Sequence, residues 1–294
     1  MAEPPPERSS QPAIRLPPHF AARARDVLDG TVAPVTPRDA ATVMLLRPLP
    51  GDAGPDGSGM CVYMLRRRSS MAFAPGAYVF PGGSVDASDE DPGIAWAGPD
   101  AAEWGRLLDA PAALARVLIC AAVRETFEES GVLLAGPDAQ TIVATTGDDA
   151  WEADRRALLA GSLPLAELLR RRGLVLRSDL LRPWARWITP VTEERRYDTR
   201  FFAAALPAGQ HARDVSGEAD ETAWLEPGAA LAAARRGEIA LFPPTAVTLG
   251  ELRACGQVQA ALAARRRITA LIPEVYLANG AAWLTVPAGL EYPL

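Results

Sequence analysis

Lysine is absent from this chain: all 30 of its basic residues are arginine. That absence excludes a P-loop lysine and a Schiff-base lysine together. The bias is read as the mark of a GC-rich genome rather than of functional selection. Histidine is nearly absent too, with only His19 and His211. A site built on three histidines is therefore excluded, and any Ser-His machinery would have to use one of these two. A Gly-x-Ser-x-Gly elbow, the local signature of many serine hydrolases, does not occur either. The three cysteines, Cys61, Cys120 and Cys255, are odd in number and widely spaced, which suits reduced thiols better than a disulfide framework. Long apolar runs are missing: Val117 to Val123 is far too short to cross a bilayer, the first twenty residues do not resemble a signal peptide, and the last residues are not a Ser-Lys-Leu address. Excess positive charge is missing as well, since the net charge is -6. These absences predict a cytoplasmic protein with no membrane and no nucleic-acid partner, although local basic patches stay open.

What is present is a chain of 294 residues, 49% of them hydrophobic, which suffices for a sizeable core. Residues 1–20 mix Pro, Ser and charge without periodicity and read as a flexible leader. Ala41 to Arg47 and Cys61 to Leu65 read as strands, joined by a Gly/Pro/Asp-rich hairpin connection at 49–59. A short strand, Ala77 to Phe80, runs into a sharp turn at Pro81-Gly82-Gly83. Helices are expected at 101–108, from Pro111 or Ala112 to Ser130, at 149–160 and at 164–172. Strands Trp184 to Thr189, Thr199 to Ala205 and 222–225 come next, followed by a helix starting at Glu226-Pro227 and stopping at Gly237. Two further helices, about 244–254 and 256–267, precede an ambiguous tail with Ala281 to Val286 extended. Interleaved short strands and helices imply an α/β or α+β domain.

The helix ending at Ser130 carries the chemistry. At about 100° per residue, Glu125, Glu128 and Glu129 fall within an arc of roughly 100°. Cys120, Val123 and Phe127 cluster opposite, so that face packs inward while the acids look outward. Three adjacent carboxylates repel one another and raise each other's pKa unless a cation neutralises them. A hard divalent ion, Mg²⁺ first, would do that by taking oxygen ligands. Glu-rich helical faces are commonly just solvated. The whole string Arg124-Glu125-x-x-Glu128-Glu129-x-Gly131 decides between the readings. At roughly one in fifteen per specified residue type, its chance occurrence in a chain this long is on the order of one in a thousand or less.

These residues resemble the second half of the Nudix box, Gly-x5-Glu-x7-Arg-Glu-U-x-Glu-Glu-x-Gly-U with U apolar. Arg124, Glu125, Glu128, Glu129, Gly131 and Val132 match, while Thr126 takes an apolar position. The first half resembles Phe80 to Asp86, with Gly83 opening the box and Asp89 standing where its first Glu would fall. Residues 90–123 separate Asp89 from Arg124 in place of seven, so an insertion must bulge between turn and helix. Met64 to Arg67 and Phe73 to Gly83 look like the coenzyme A diphosphatases, particularly the animal peroxisomal acyl-coenzyme A type, whose box carries a similar insertion. The likeness continues through Arg196 to Phe202 and Glu221 to Leu225, covering roughly residues 38–250.

The resemblance implies a Nudix-like α/β/α sandwich with a mixed sheet over 38–250. A helical insertion at about 90–123 and a helical segment at about 149–172 belong to it, with a C-terminal helix and tail at 251–294 packed on the domain. It implies hydrolysis of a nucleoside diphosphate-linked small molecule with Mg²⁺ or Mn²⁺, coenzyme A or acyl-coenzyme A first. The alternatives are an ADP-ribose or NADH-type dinucleotide diphosphatase, and a catalytically silent Nudix-fold binding module. Glu125, Glu128, Glu129 and the Gly82 carbonyl would hold metal, and Arg124 would orient a carboxylate. Arg66, Arg67 and Gly83 would meet substrate. The general base stays open among Glu125, Glu218 and Glu221. Asp86, Asp89, Glu90 and Asp91 read as an acidic surface loop, Trp224 as core, and a homodimer is the candidate assembly.

Overall fold

In the computed structural model, which describes residues 13–50, 59–68, 76–213 and 219–294, the first elements are β1 (Ala13–Arg15) and α1 (His19–Leu28). Strands β2 (Arg38–Pro48), β3 (Met60–Arg67), β4 (Tyr78–Val79) and β5 (Gly82–Ser84) follow. A 3₁₀ turn (Ala87–Glu90), β6 (Trp96–Ala97) and α2 (Ala101–Leu108) lead into α3 (Ala112–Ser130). Next come β7 (Ala135–Gly136), α4 (Asp149–Leu159), α5 (Leu165–Arg172), β8 (Val175–Arg177), β9 (Arg182–Ile188), β10 (Tyr197–Ala205) and β11 (Ala219–Leu225). Helices α6 (Pro227–Arg235), α7 (Pro243–Cys255) and α8 (Val258–Ala263) precede β12 (Ala270–Leu271), β13 (Glu274–Ala278) and β14 (Ala281–Thr285).

The main sheet runs β11-β3-β2-β10-β9-β12, with β4 added to β3 and β5 to β2. It is mixed: β10 is parallel to β2 and antiparallel to β9, while β3 and β5 are antiparallel to β2. Because side chains alternate along a strand, β2 feeds two cores. Ala41, Val43 and Leu45 join Phe202, Ala204 and the buried side of α3 on one face. Met44 and Leu46 join Phe201, Ala203, Leu231 of α6, Leu249 and Leu252 of α7 and Ala261 of α8 on the other. Both faces of the sheet are thus covered by helices, the α/β/α sandwich that the resemblance implied.

The insertion is not a loose bulge. Its last stretch is the first half of α3 itself, which runs unbroken into the carboxylate turn. Trp104 of α2, 1% exposed, packs edge-on against Phe202 with ring centroids 6.0 Å apart. Strand β6 joins β8 and β7 in a small sheet, so the insertion is stitched to chain that follows the helix.

Several boundaries differ from the sequence expectation. From residue 13 onward the expected leader is ordered: β1 pairs with β14, and α1 packs Ala24 against Val275 and Leu284 in a small third core. Its partners lie about 250 to 270 residues away, beyond any local periodicity. Gly82–Ser84 form a strand on β2, where a turn alone was expected, because glycine lets the chain lie close against β2 while continuing extended. The last predicted helix shortens to α8, and β13 was not foreseen. Most of the hairpin connection at 49–59 lies outside the described residues.

Candidate active site

Two elements build the site: the last two turns of α3, and β5 laid along the start of β2. In register, Thr42 faces Gly82, Ala41 faces Gly83 and Ala40 faces Ser84. The approach is so close that side chains are excluded. A Cβ on Gly82 would lie 2.6 Å from Thr42 Cα, and one on Gly83 would lie 2.6 Å from the Glu125 carboxyl carbon. The glycine pair therefore brings the backbone of β5 against the carboxylates of α3, closing in space the gap that the insertion opens in sequence.

Arg124 is the hub. Its Nε and Nη2 donate to the two Asp89 carboxylate oxygens at 2.9 and 3.0 Å, and Nη2 also donates to the Ser84 carbonyl at 2.9 Å. Nη1 donates to Glu125 at 2.8 Å and to Glu128 at 3.1 Å. Glu129 reaches the other way and accepts the Gly82 N–H at 2.8 Å. One planar guanidinium thus fixes three carboxylates and a strand carbonyl, a geometry that its fork of donors makes possible.

Burial gives this network its electrostatics. Asp89 is fully buried, and Arg124 and Glu128 are each 6% exposed. Burial lowers the Arg124 pKa, but the Asp89 hydrogen bonds and the charges of Glu125, Asp89 and Glu128 more than reverse this, leaving it raised. Burial pushes Glu128 up to about 7; Arg124 opposes the rise, while the neighbouring Glu125 and Asp89 charges add to it. The cluster is short of positive charge.

Two sequence expectations need correction. Asp89 does not belong to an acidic surface loop; it is the most buried acid of the cluster. The 3₁₀ turn bends it inward, with the Asp86 N–H donating to its second oxygen at 2.9 Å. Glu128 does not look outward but is buried, its carboxylate turned to the Arg124 guanidinium at 3.1 Å. Thr126, the departure from the apolar pattern, is accommodated at 0% exposure because its hydroxyl donates to the Ala122 carbonyl at 2.7 Å.

The remaining candidates lie elsewhere. Arg66 and Glu221 face each other from β3 and β11 in an exposed ion pair of 3.7 Å. Arg67 is on β3 beside Arg66, and Glu218 lies outside the described residues, as do Phe73 to Pro75. Trp224 is half-buried on the α3 face, with Tyr63 at 5.3 Å and the Arg47 guanidinium 4.3 Å over its ring. In the stretch 196–202, Arg200 is buried and ion-paired to Asp198, which Arg186 also grips at 2.6 Å. Sequence reasoning missed Arg155 and Arg213, which hold the end of α3 from outside the motif, and Gln210, which holds Leu133 just beyond it. No local spacing could have signalled them, since their partners are 27 to 83 residues away by the chain numbering.

As to metal, no group of three or more His, Cys, Asp or Glu stands ready to hold an ion among the described residues. The donor set nonetheless fits a hard divalent cation. Asp89, Glu125 and Glu128 share one guanidinium, and Glu129 sits on the same helical turn. Mg²⁺ keeps several waters and needs only one or a few carboxylates from the protein. Among the described residues no helix is long and apolar enough to cross a membrane.

Comparison with known proteins gives the family. Residues 99–252, just over half of the chain, match the NUDT19 Nudix domain family. The structure superimposes on that of a NUDIX hydrolase from Alicyclobacillus acidocaldarius with a TM-score of 0.66 and 30% identity, covering 79% of this chain and 98% of that one. The chain belongs to the Nudix hydrolase family. Within it, the chain falls in the NUDT19 branch. It is 30% identical over 260 residues to the acyl-coenzyme A diphosphatase NUDT19 of Gallus gallus, covering 70% of this chain and 65% of that one. The NUDT19 of Xenopus laevis is 28% identical over 228 residues, covering 65% and 59%. The chain thus spans less than two thirds of the length of these curated relatives.

Proposed function

We propose that this chain is a divalent-metal-dependent diphosphatase acting on a nucleoside diphosphate-linked small molecule, with coenzyme A or an acyl-coenzyme A as first candidate. The observation that carries the reading is the Arg124 hub, which holds Glu125 and Glu128 on one side while Gly82 holds Glu129. Structure alone does not call for so many carboxylates in a half-buried cluster, and a Glu128 displaced to about 7 weakens the fold unless a cation offsets it. A bound divalent ion would acidify water and neutralise charge on the diphosphate oxygens. Glu125, Glu128 and Glu129 would hold it, with the Gly82 carbonyl as a further ligand. Arg124, locked by Asp89, orients the acids instead of touching substrate. Gly83 lies so close to the Glu125 carboxylate that a Cβ would stand 2.6 Å from its carboxyl carbon, so it would meet substrate through its backbone alone. Arg66 and Arg67, exposed or half-exposed on β3, offer guanidinium forks to a substrate phosphate.

The coenzyme A assignment rests on the NUDT19 relatives, whose names give that activity. An ADP-ribose or NADH-type diphosphatase would use the same carboxylates with a different pocket. A silent binding module would have no need of a carboxylate set this complete. For the general base, Glu125 stands in the cluster, whereas Glu221 is engaged by Arg66. The test is to incubate purified protein with Mg²⁺ or Mn²⁺ and coenzyme A, acyl-coenzyme A, ADP-ribose or NADH, identifying products by mass. Release of 3',5'-ADP with a 4'-phosphopantetheine product is expected. Cleavage of ADP-ribose or NADH in preference overturns the substrate assignment, and no cleavage at all overturns the enzymatic one.

A further inference from the structure

The turn that carries Glu128 and Glu129 is held by side chains outside the Nudix motif. A helix leaves its last four carbonyls without intrahelical donors. In α3 the Phe127 carbonyl accepts the Gly131 N–H at 2.9 Å, the Ser130 carbonyl accepts the Arg213 N–H at 3.1 Å, and the Gly131 carbonyl accepts the Thr146 hydroxyl at 2.6 Å. The Glu128 carbonyl would, in a longer helix, accept from the Val132 N–H. That N–H donates to Ser130 Oγ at 3.2 Å instead. Glu128 is served by Arg155 of α4, whose Nη1 donates to its carbonyl at 2.7 Å.

Arg155 is 2% exposed, which for a cation demands full pairing. Glu152 supplies it, accepting Nε at 2.9 Å and Nη2 at 2.8 Å. The same carboxylate accepts Arg156 Nε at 2.8 Å and faces Arg213 Nη2 at 3.9 Å. The guanidinium plane is thereby set on one side and delivers its remaining edge to the helix end, where the macrodipole is negative and a cation is favoured. We infer that Arg155 is a positioning residue for the metal-holding carboxylates: it fixes, through the Glu128 carbonyl, the turn from which Glu128 and Glu129 project. This rests on reading Glu125, Glu128 and Glu129 as metal ligands. A neutral side chain at 155 leaves the Glu128 carbonyl without its donor and Glu152 without its buried counter-ion.

The experiment titrates Mn²⁺ into the full chain, reading free ion by electron paramagnetic resonance, alongside kcat, KM and the melting temperature. Wild type is compared with Arg155→Met, Arg155→Lys, Arg156→Ala and Glu129→Gln. Arg155→Met is expected to weaken Mn²⁺ binding about 10- to 100-fold, the range for groups that orient metal ligands. Its kcat should fall while KM changes little. Arg155→Lys, which keeps a donor for the carbonyl, should recover part of the loss even if Arg155→Met folds poorly. Arg156→Ala, at an exposed residue that does not touch Glu128, should bind Mn²⁺ as wild type does. Wild-type Mn²⁺ affinity in folded Arg155→Lys and Arg155→Met alike overturns the inference, as does equal weakening by Arg156→Ala. If Glu129→Gln also binds as wild type, the ligand assignment itself fails; if Glu129→Gln loses the ion and the Arg155 variants do not, only the positioning role does.

Discussion

Helix α3 is two helices in physical terms. From Ala115 to Val123 its buried residues are apolar, with Leu118, Ile119 and Cys120 at 0% exposure. Burial there pushes the Cys120 thiol up to about 12. From Arg124 to Ser130 it also buries Arg124, Glu128, Thr126 and Ser130, each with a named partner. The first half gains from leaving water, as hydrophobic surface does. The second half gains little from burial and must be held in shape by cross-links to β5, the 3₁₀ turn and α4. The apolar half thus supplies stability, and the polar half uses it to hold mutually repelling acids together.

That contrast can be broken at either end. Glu125→Gln and Glu129→Gln should leave the fold standing but cut diphosphate hydrolysis by about 100-fold or more, on the scale of groups that stabilise transition-state charge. A steady-state assay with the melting temperature checks both parts. Arg124→Met should do the opposite of a conservative surface change. With Asp89 fully buried and its cation gone, the loss should be about 3–5 kcal/mol in chemical denaturation. Leu118→Ala in the apolar half should cost about 2–5 kcal/mol by cavity formation, yet leave kcat per folded molecule near wild type.

A smaller effect is pH-dependent. Hydrogen bonds from Arg155 hold the Glu152 carboxyl down to about 2, against the opposing effect of burial, with Arg156 assisting. Because its folded pKa lies below the ordinary 4.5, the stabilisation is present in full above pH 4.5 and is lost as pH falls towards 2. Glu152→Gln should therefore destabilise by about 2 kcal/mol at pH 7, with the gap to wild type closing on acidification. Unequal slopes of denaturation midpoint against pH over that window are the readout, and parallel curves would contradict it. The smallest change is expected from Arg170→Ala on the solvent face of α5, whose pairing with Glu167 is solvent-screened, so the denaturation midpoint should stay at the wild-type value.

Much of the site was legible because its chemistry is local. Glu125, Glu128, Glu129 and the cap at Gly131 lie within two turns, and helical geometry alone puts the acids on one face. The Gly82-Gly83 pair read as a sharp turn, whereas the structure lays it extended against β2 and close to α3. What it passes close to, Glu125, could not be read, because residues 90–123 intervene and no periodicity spans them. The same reason hid the inward turn of Asp89, the ordering of residues 13–15 by β14, and the exposed pairing of Arg66 with Glu221.

By itself, then, the sequence determined the short-range quantities: which stretches alternate with period two or 3.6, where helices cap, and that three acids share a helical stripe. Only the tertiary structure decided that one guanidinium would serve Asp89, Glu125 and Glu128, and that Arg155 would close the Glu128 carbonyl. Those outcomes depend on burial, and burial is set by which distant elements cover a residue. A buried charge must find its partner wherever the packed chain supplies one, whatever the distance along the sequence.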